Sequence, residues 1–333
     1  MSNELAAYKQ NRVRVLQNMY NANARQIYST VVAMIRNVQM SRSSRRLQQT
    51  YINNLIAQYY RDMSTISTAF NNSKLAIQNF TPTVIKEATR KKALLVGINY
   101  VGTQDELYGC INDVNSIKER IVQDGFSDVK VLTDLTPIKA TRNNILLEFT
   151  NLLVNAQSGD LLFFSYSGHG SYIFDRNGDE ADGRDEMIVS CDLRGVVDDE
   201  LKALIQTHLK SDVTLFAMFD SCFSGSMLDL KYQYLDSLNY DNYTENEKQL
   251  DTPGNVLMIS GCADNQTSAD AFINNMARGA MTWSLLEAIK EKPICSWREL
   301  VKLMRDKLKT SEFDQIPQFS SGTFVDIDAT VFI

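Results

Sequence analysis

No stretch of this 333-residue chain approaches twenty consecutive apolar residues, so no membrane-spanning helix is expected. Nor does it begin with a charged, then apolar, segment ending in small residues; no secretory signal is expected, and the compartment predicted is intracellular, the cytoplasm by default. Cysteine is sparse. Cys110, Cys191, Cys222, Cys262 and Cys295 are scattered without paired spacing, which argues against a disulfide framework or a zinc site and predicts reduced thiols. Histidine is scarcer still, with His169 and His208 alone, and no internal repeat is visible. What is present is an ordinary globular composition, 44% hydrophobic, enough to bury one large core with an appendage.

Two apolar segments end in reactive residues. One runs Phe163-Phe164-Ser165-Tyr166-Ser167-Gly168-His169-Gly170, the other Leu215-Phe216-Ala217-Met218-Phe219-Asp220-Ser221-Cys222. Both suit buried strands of a parallel sheet, whose chemistry gathers beyond the strands' carboxyl ends. A cysteine at such a place is ordinarily a small buried hydrophobe. Here its company matters: His169 stands between glycines, where backbone can approach a substrate closely, whereas His208 lies in a helical pattern and reads as a surface residue. An imidazole beside a thiol favours the thiolate and supplies an acid for a leaving amine, so Cys222 and His169 are the candidate catalytic pair. The backbone N–H groups of Gly170 and Cys222, at strand ends beside the reacting atoms, are the candidate oxyanion donors.

Charge is distributed unevenly. Residues 1–92 hold fourteen basic and three acidic residues, and the remainder holds twenty and thirty-seven, although the whole chain is only −6. The asymmetry predicts a boundary at residues 81–92 and attraction between a basic N-terminal region, 1–90, and an acidic domain, 91–333. Within residues 1–80, Val13, Leu16, Tyr20, Ile27, Val31, Met34 and Val38 recur at helical spacing, as do Leu47, Tyr51, Leu55, Tyr59, Ile66 and Phe70. The basic run Ser41-Arg42-Ser43-Ser44-Arg45-Arg46 separates them, predicting two amphipathic helices that pack on each other or on the second domain. Binding of nucleic acid or an anionic surface by the basic face is the sharper alternative.

From residue 91 strands and helices alternate, which predicts an α/β fold with a mainly parallel sheet and helices on both faces. Strands are expected over Lys92–Tyr100, Val129–Leu132, Asp160–Tyr166, Val213–Phe219 and Val256–Ser260, with a short one near Met187–Asp192 and a last one over Phe324–Ile333. Helices are expected over 110–124, 141–156, 198–209, 279–291 and 296–310. Residues 227–254, rich in Asp, Asn and Tyr, read as a long loop between a large region, 91–226, and a small one, 255–333.

Acids complete the reading. Asp220 lies two residues before Cys222, a spacing that sends both side chains toward one side of the strand end. Asp113 suits the first turn of a helix, where the dipole favours it, or a binding pocket. Asp175, Asp179, Glu180, Asp182, Asp185 and Glu186 crowd one loop before Asp198-Asp199, either as a solvated acidic run or as oxygen ligands for Ca²⁺ without EF-hand spacing.

The order of these segments resembles the metacaspases, Cys-His peptidases of caspase-like fold. The resemblance runs from about Lys91 to the C-terminus. It is carried by Ala93-Leu94-Leu95-Val96-Gly97-Ile98-Asn99-Tyr100, Leu107-Tyr108-Gly109-Cys110-Ile111-Asn112-Asp113-Val114, Ser167-Gly168-His169-Gly170, Gly178 to Glu186, Asp198-Asp199-Glu200-Leu201, Asp220-Ser221-Cys222, Ser260 to Asp270, Gly279-Ala280-Met281-Thr282 and Pro317 to Gly322. Phe223 stands where the family commonly has His. The resemblance implies a pocket for a basic side chain built from Cys110, Asp113, Ser167 and Asp220, hence cleavage of peptide or protein substrates after Arg or Lys. It implies Ca²⁺ as cofactor, with Asp182, Asp198, Asp199 and Asp229 as ligands, and a monomer. Family members restrained as zymogens cleave themselves after basic residues; Lys231, Lys248, Arg42, Arg45 and Arg46 are the matching candidates here. The rival expectation is a catalytically silent caspase-fold scaffold acting through its basic N-terminal helices.

Overall fold

The computed structural model describes residues 2–41, 45–79, 88, 90–174, 183–222, 224–234, 243–246, 248–261, 270–273 and 276–328. Two compact units divide the chain, Met1–Val84 and Ile85–Ile333.

The first unit is a helical hairpin of α1 (Ser2–Met40) and α2 (Arg45–Asn79). Tyr20 meets Phe70 with ring centroids 4.9 Å apart, and Tyr28 meets Tyr59 at 6.3 Å, so the helices run antiparallel. At the turn the Gln48 amide donates to the Ser41 carbonyl at 2.9 Å. The seam is narrower than the sequence pattern suggested: Met34, Leu47 and Tyr51, read as part of the apolar stripes, are exposed. Two helices offer each other only one line of contact, and residues to either side of it stay wet. No helix among the described residues is long and apolar enough to cross a membrane.

The second unit is an α/β sandwich around one sheet. In chain order its elements begin with β1 (Lys91–Gly97), α3 (Cys110–Gln123), β2 (Asp128–Thr133), α4 (Arg142–Val154) and β3 (Leu161–Ser167). A three-stranded side sheet of β4 (Gly170–Phe174), β5 (Arg184–Val189) and β6 (Gly195–Val197) follows, then α5 (Asp198–His208) and β7 (Thr214–Asp220). The C-terminal part holds β8 (Tyr232–Tyr234), β9 (Tyr243–Glu245), β10 (Asn255–Ser260), the hairpin β11 (Asp270–Ile273) and β12 (Met276–Gly279), α6 (Ala280–Glu291), α7 (Trp297–Thr310) and β13 (Gln318–Ser321).

The main sheet has the order β2-β1-β3-β7-β10-β13-β8-β9, parallel from β2 to β10 and antiparallel beyond. Its central strands are apolar without alternation because both faces are covered. Leu94, Val96, Phe164, Tyr166, Ala217 and Phe219 pack toward α4 and α5. Their neighbours Ala93, Leu95, Phe163, Phe216 and Met218 pack toward α3, α6 and α7, where Phe163 stacks on Phe216 at 5.4 Å. Local signals agree with this arrangement: Thr141 caps α4 through the Asn144 N–H, and Ser296 with Glu299 forms a capping box on α7. The buried Asp160 carboxylate ties the chain before β1 to the start of β3 through Arg90, at 2.6 Å.

Two expectations are corrected here. The segment read as a last strand, Phe324–Ile333, is not one over 324–328, and 329–333 lie outside the described residues. The sheet is instead completed by Gln318–Ser321, a polar stretch buried at all four positions, while Phe324 packs its ring 5.5 Å from Tyr243. The stretch 227–254 is not loop throughout: β8 and β9 lie in it and extend the sheet beyond β13.

Candidate active site

The register of β3 on β7 sets the site. Ser167 is paired with Asp220, the last residues of the two strands, and the Gly168 N–H donates to the Asp220 carbonyl at 3.4 Å. His169 and Cys222 follow at the same offset, each two residues beyond that pair, and both are half-buried. The chain turns back at once into β4, and this turn closes on Cys222: a Cβ at Gly170 would overlap the Cys222 carbonyl oxygen and lie 3.2 Å from the Ser221 Cβ. Only glycine lets the histidine strand lie this close to the cysteine backbone. Cys110, Cys191, Cys222 and Cys295 are reduced cysteines; Cys262 and Phe223 lie outside the described residues.

The His169 ring is oriented by main chain. Its Nε2 lies 2.7 Å from the Asp105 carbonyl oxygen. A carbonyl only accepts, so Nε2 carries a proton there and Nδ1 is the nitrogen left to exchange one. Asp105 belongs to the segment between β1 and α3, which also places Tyr100 against the imidazole with ring centroids 4.6 Å apart.

Three of the four residues expected to form a pocket, Asp113, Ser167 and Asp220, come together on the α3 and α6 side of the same strand ends, while the fourth, Cys110, is buried at the start of α3 near Tyr100 and Tyr166. Strand alternation puts Ser167 and Asp220 there, on the face of Phe163 and Met218. Asp113, one turn into α3 from Cys110, is buried; its Oδ2 accepts from the Ser167 hydroxyl at 2.8 Å, and both its oxygens accept from the Gly279 N–H at 3.0 Å. Asp220, also buried, accepts from the Thr282 N–H and hydroxyl, both at 2.8 Å. Gly279 caps α6, so both carboxylates sit at that helix's N-terminus, a favourable place for negative charge. A Cβ on Gly279 would overlap Asp220 Oδ2 and stand 2.7 Å from Asp113 Oδ2, which measures how tightly the two acids converge. Asn112 ties the pocket to β12 by donating to the Ala277 carbonyl at 2.9 Å. Gly279 and Thr282, which hold these two carboxylates, carry no chemical signal of their own in the sequence, being a glycine and a threonine at a helix start.

On the opposite side, Asp198, Asp199 and Asp229 bring carboxylate oxygens within 4.8 Å of one another. Asp198 is buried and accepts from the Glu186 N–H at 2.7 Å and the Asp199 N–H at 2.6 Å. Burial, then the charges of Asp229 and Glu186, push its carboxyl up to about 9. Asp229 has a left-handed backbone, φ 45°, and lies 3.4 Å from the Lys202 ammonium. Three hard oxygen donors under mutual repulsion suit a Ca²⁺ ion, which prefers such ligands. Asp182, expected with them, lies outside the described residues, as do Asp175, Asp179 and Glu180. Glu186 belongs to β5, and its carboxylate accepts from Ser226, four residues past Cys222, at 2.7 Å; this links the acidic cluster to the cysteine loop.

The candidate processing residues differ in their surroundings. Lys231 is half-buried and pairs with Asp251 at 3.1 Å and Glu245 at 3.5 Å. Lys248, Arg45 and Arg46 are exposed, and Arg42 lies outside the described residues.

Comparison with known proteins adds to this geometry. Residues 91–231 match the family described as metacaspase, peptidase C14 domain. The chain is 36% identical over 292 residues to metacaspase-1A of Neurospora crassa, covering 72% of this chain and 64% of that protein. It is 33% identical over 327 residues to metacaspase-1 of Meyerozyma guilliermondii, covering 82% and 78%. A crystal structure of a Geobacter sulfurreducens protein superposes with a TM-score of 0.54 at 26% identity, covering 72% of this chain and 97% of that one.

Proposed function

The chain belongs to the metacaspases, a family of cysteine peptidases, and on that premise we propose that it is a Ca²⁺-stimulated endopeptidase cleaving after Arg or Lys through Cys222 and His169. The observation that carries the reading is the contact of Gly170 with the Cys222 carbonyl, which holds the histidine turn against the nucleophile's own backbone.

The Cys222 thiolate attacks the scissile carbonyl, and the Gly170 and Cys222 N–H groups stabilise the oxygen as it gains charge. His169, its Nε2 proton held by the Asp105 carbonyl, protonates the departing amine from Nδ1 and then takes a proton from the water that releases the acyl group. Asp113 and Asp220 recognise the substrate guanidinium or ammonium, with Ser167 shaping the pocket. Two carboxylates there disfavour an acidic side chain, which argues against caspase-like Asp specificity.

Asp198, Asp199 and Asp229, with Asp182, are the residues that would hold Ca²⁺. The bound ion would supply positive charge to this acidic cluster and favour its ordered form. The Glu186–Ser226 hydrogen bond supports a route by which that order reaches the cysteine loop. The enzyme is further proposed to be a zymogen that processes itself after Lys231, Lys248 or the Arg42, Arg45, Arg46 cluster; Lys248 has the exposure such a site needs.

The test is hydrolysis of matched fluorogenic peptides ending in Arg, Lys or Asp, with Ca²⁺ or chelator, by the native chain and by Cys222→Ala. Ca²⁺-dependent release after Arg or Lys, absent in the variant, is expected. Silence in every condition, including after removal of residues 1–90, would overturn the reading in favour of a scaffold acting through its N-terminal helices.

A further inference from the structure

Tyr100 follows β1 and takes a left-handed backbone conformation, φ 52°, which a bulky residue adopts only where its surroundings compel it. Those surroundings are specific. The Asp134 carboxylate accepts from the N–H on either side, Asn99 at 3.2 Å and Val101 at 3.0 Å. Thr103 donates to the Tyr100 carbonyl twice, from its amide at 3.0 Å and its hydroxyl at 2.8 Å. The strain is held in place by four hydrogen bonds, and what it delivers is the position of one side chain.

That side chain is buried and runs under the histidine turn. Its hydroxyl accepts from the His169 N–H at 2.9 Å and donates to the Val189 carbonyl at 2.6 Å. Tyr166, at the end of β3, donates to the His169 carbonyl at 2.7 Å, and the two hydroxyls lie 3.0 Å apart. The His169 N–H is therefore taken by Tyr100, and its carbonyl is shared between Tyr166 and the Val189 N–H, at 3.0 Å. Gly168 fits between the pair: a Cβ there would stand 2.5 Å from the Tyr166 hydroxyl and 2.9 Å from that of Tyr100. Burial pushes the ionisation of both phenols well above the ordinary tyrosine range, so they remain neutral wherever the enzyme works. Above this clamp the Tyr100 ring lies against the imidazole, tilted by 38° with centroids 4.6 Å apart.

We propose that Tyr100 is a positioning residue for His169 with two separable parts. Its hydroxyl fixes the backbone of the histidine turn. Its ring holds the imidazole in the one rotamer that sets Nε2 on the Asp105 carbonyl and leaves Nδ1 for Cys222. The proposal rests on the Cys222–His169 reading given above.

Separable parts make separable variants. Tyr100→Phe keeps the ring and removes the hydroxyl; Tyr100→Leu removes both. The measurement is the pH dependence of Cys222 alkylation by iodoacetamide, alongside kcat and KM on an Arg peptide and the imidazole Hε1 resonance. The chain has only two histidines, so His208→Gln assigns the His169 signal. Tyr100→Leu is expected to lower neutral-pH alkylation by about threefold to tenfold, because an imidazole released from its rotamer no longer stands by the thiol, and to lower kcat with little change in KM. Tyr100→Phe should retain the native alkylation profile while losing kcat. In the native enzyme the Hε1 resonance of His169 is expected to carry a ring-current shift, which needs no variant to fold. Absence of that shift, or the same alkylation profile in the Phe and Leu variants, would overturn the proposal. His169→Ala tells the two readings apart. If it leaves alkylation of Cys222 unchanged, the dyad itself fails; if it alters the profile and Tyr100→Leu does not, only the role of Tyr100 falls.

Discussion

Asp113 and Asp220 come from different elements and aim at one place: a Cβ on Gly279 would overlap an oxygen of Asp220 and lie 2.7 Å from an oxygen of Asp113. Each is fixed by donors from the start of α6, Gly279 for the first and Thr282 for the second. Asp220→Asn is expected to reduce kcat/KM for Arg and Lys peptides by about a hundredfold or more, since removing one member of a buried, hydrogen-bonded charge pair costs about 2–5 kcal/mol. Alkylation of Cys222 should persist, separating loss of the pocket from loss of the nucleophile. Full activity on Arg peptides in this variant would remove Asp220 from recognition.

Gly170→Ala places a methyl group into the Cys222 carbonyl oxygen, and backbone on either side offers no flexible end to give way. The site must open by a fraction of an ångström to an ångström, and displacements of that size cost about a hundredfold in rate. Turnover should fall on that scale with far-UV circular dichroism unchanged.

Lys202 lies 3.4 Å from Asp229 and also hydrogen-bonds the Gln249 amide, so an ammonium already serves one of the carboxylates proposed to bind Ca²⁺. Calorimetric titration should show Ca²⁺ binding that Asp198→Asn and Asp229→Asn each weaken at least tenfold, a loss of about 1.4 kcal/mol. Lys202→Met should tighten it, because the ion no longer competes with a tethered cation. Equal affinity in all four proteins would place the ion elsewhere.

Stability has its own pH signature. Burial pushes the Asp326 carboxyl up to about 6, against the hydrogen bond from the Asp328 N–H and with the Asp328 charge adding to the rise. Between the unfolded value of about 4 and this one, the native state holds a proton that the unfolded chain has lost, so stability falls as pH rises through the window and stays lower above it. Asp326→Asn keeps an acceptor for the amide and removes the charge. Its Tm should exceed that of the native chain at pH 8 and match it near pH 4.

The elements that carry the site were legible because burial on both faces leaves unbroken apolar runs: Leu161–Ser167 and Thr214–Asp220 could scarcely be anything but central strands. The helix starts expected at 141 and 296 fall on Thr141 and Ser296, whose side chains cap α4 and α7. Gln318–Ser321 was missed because its hydrogen bonds to β10 and β8 override a polar sequence that has no strand signal, and residues 324–328 were misread because alternation alone does not reveal that β13 already holds the place beside β10. At the site, the thiol, the imidazole and the acids announce themselves by chemical type. Gly279, Thr282 and Tyr100 do not. Their parts follow from where the chain returns in space, and the left-handed turn at Tyr100 leaves no periodic trace.

The strand order has a bearing on what a cut chain would be. Running across β7, β10, β13 and β8, the sheet passes from the first part of the chain to the last and back again. Severing the backbone after Lys248 leaves β7, β8 and β9 on one fragment and β10 and β13 on the other. The second fragment's strands are then gripped on both sides by the first, along two hydrogen-bonded seams, β7 with β10 and β13 with β8. Such a nick relieves a covalent tether without creating two bodies. The cleaved protein would elute as a single particle under native conditions and separate into two bands only once the sheet itself is melted.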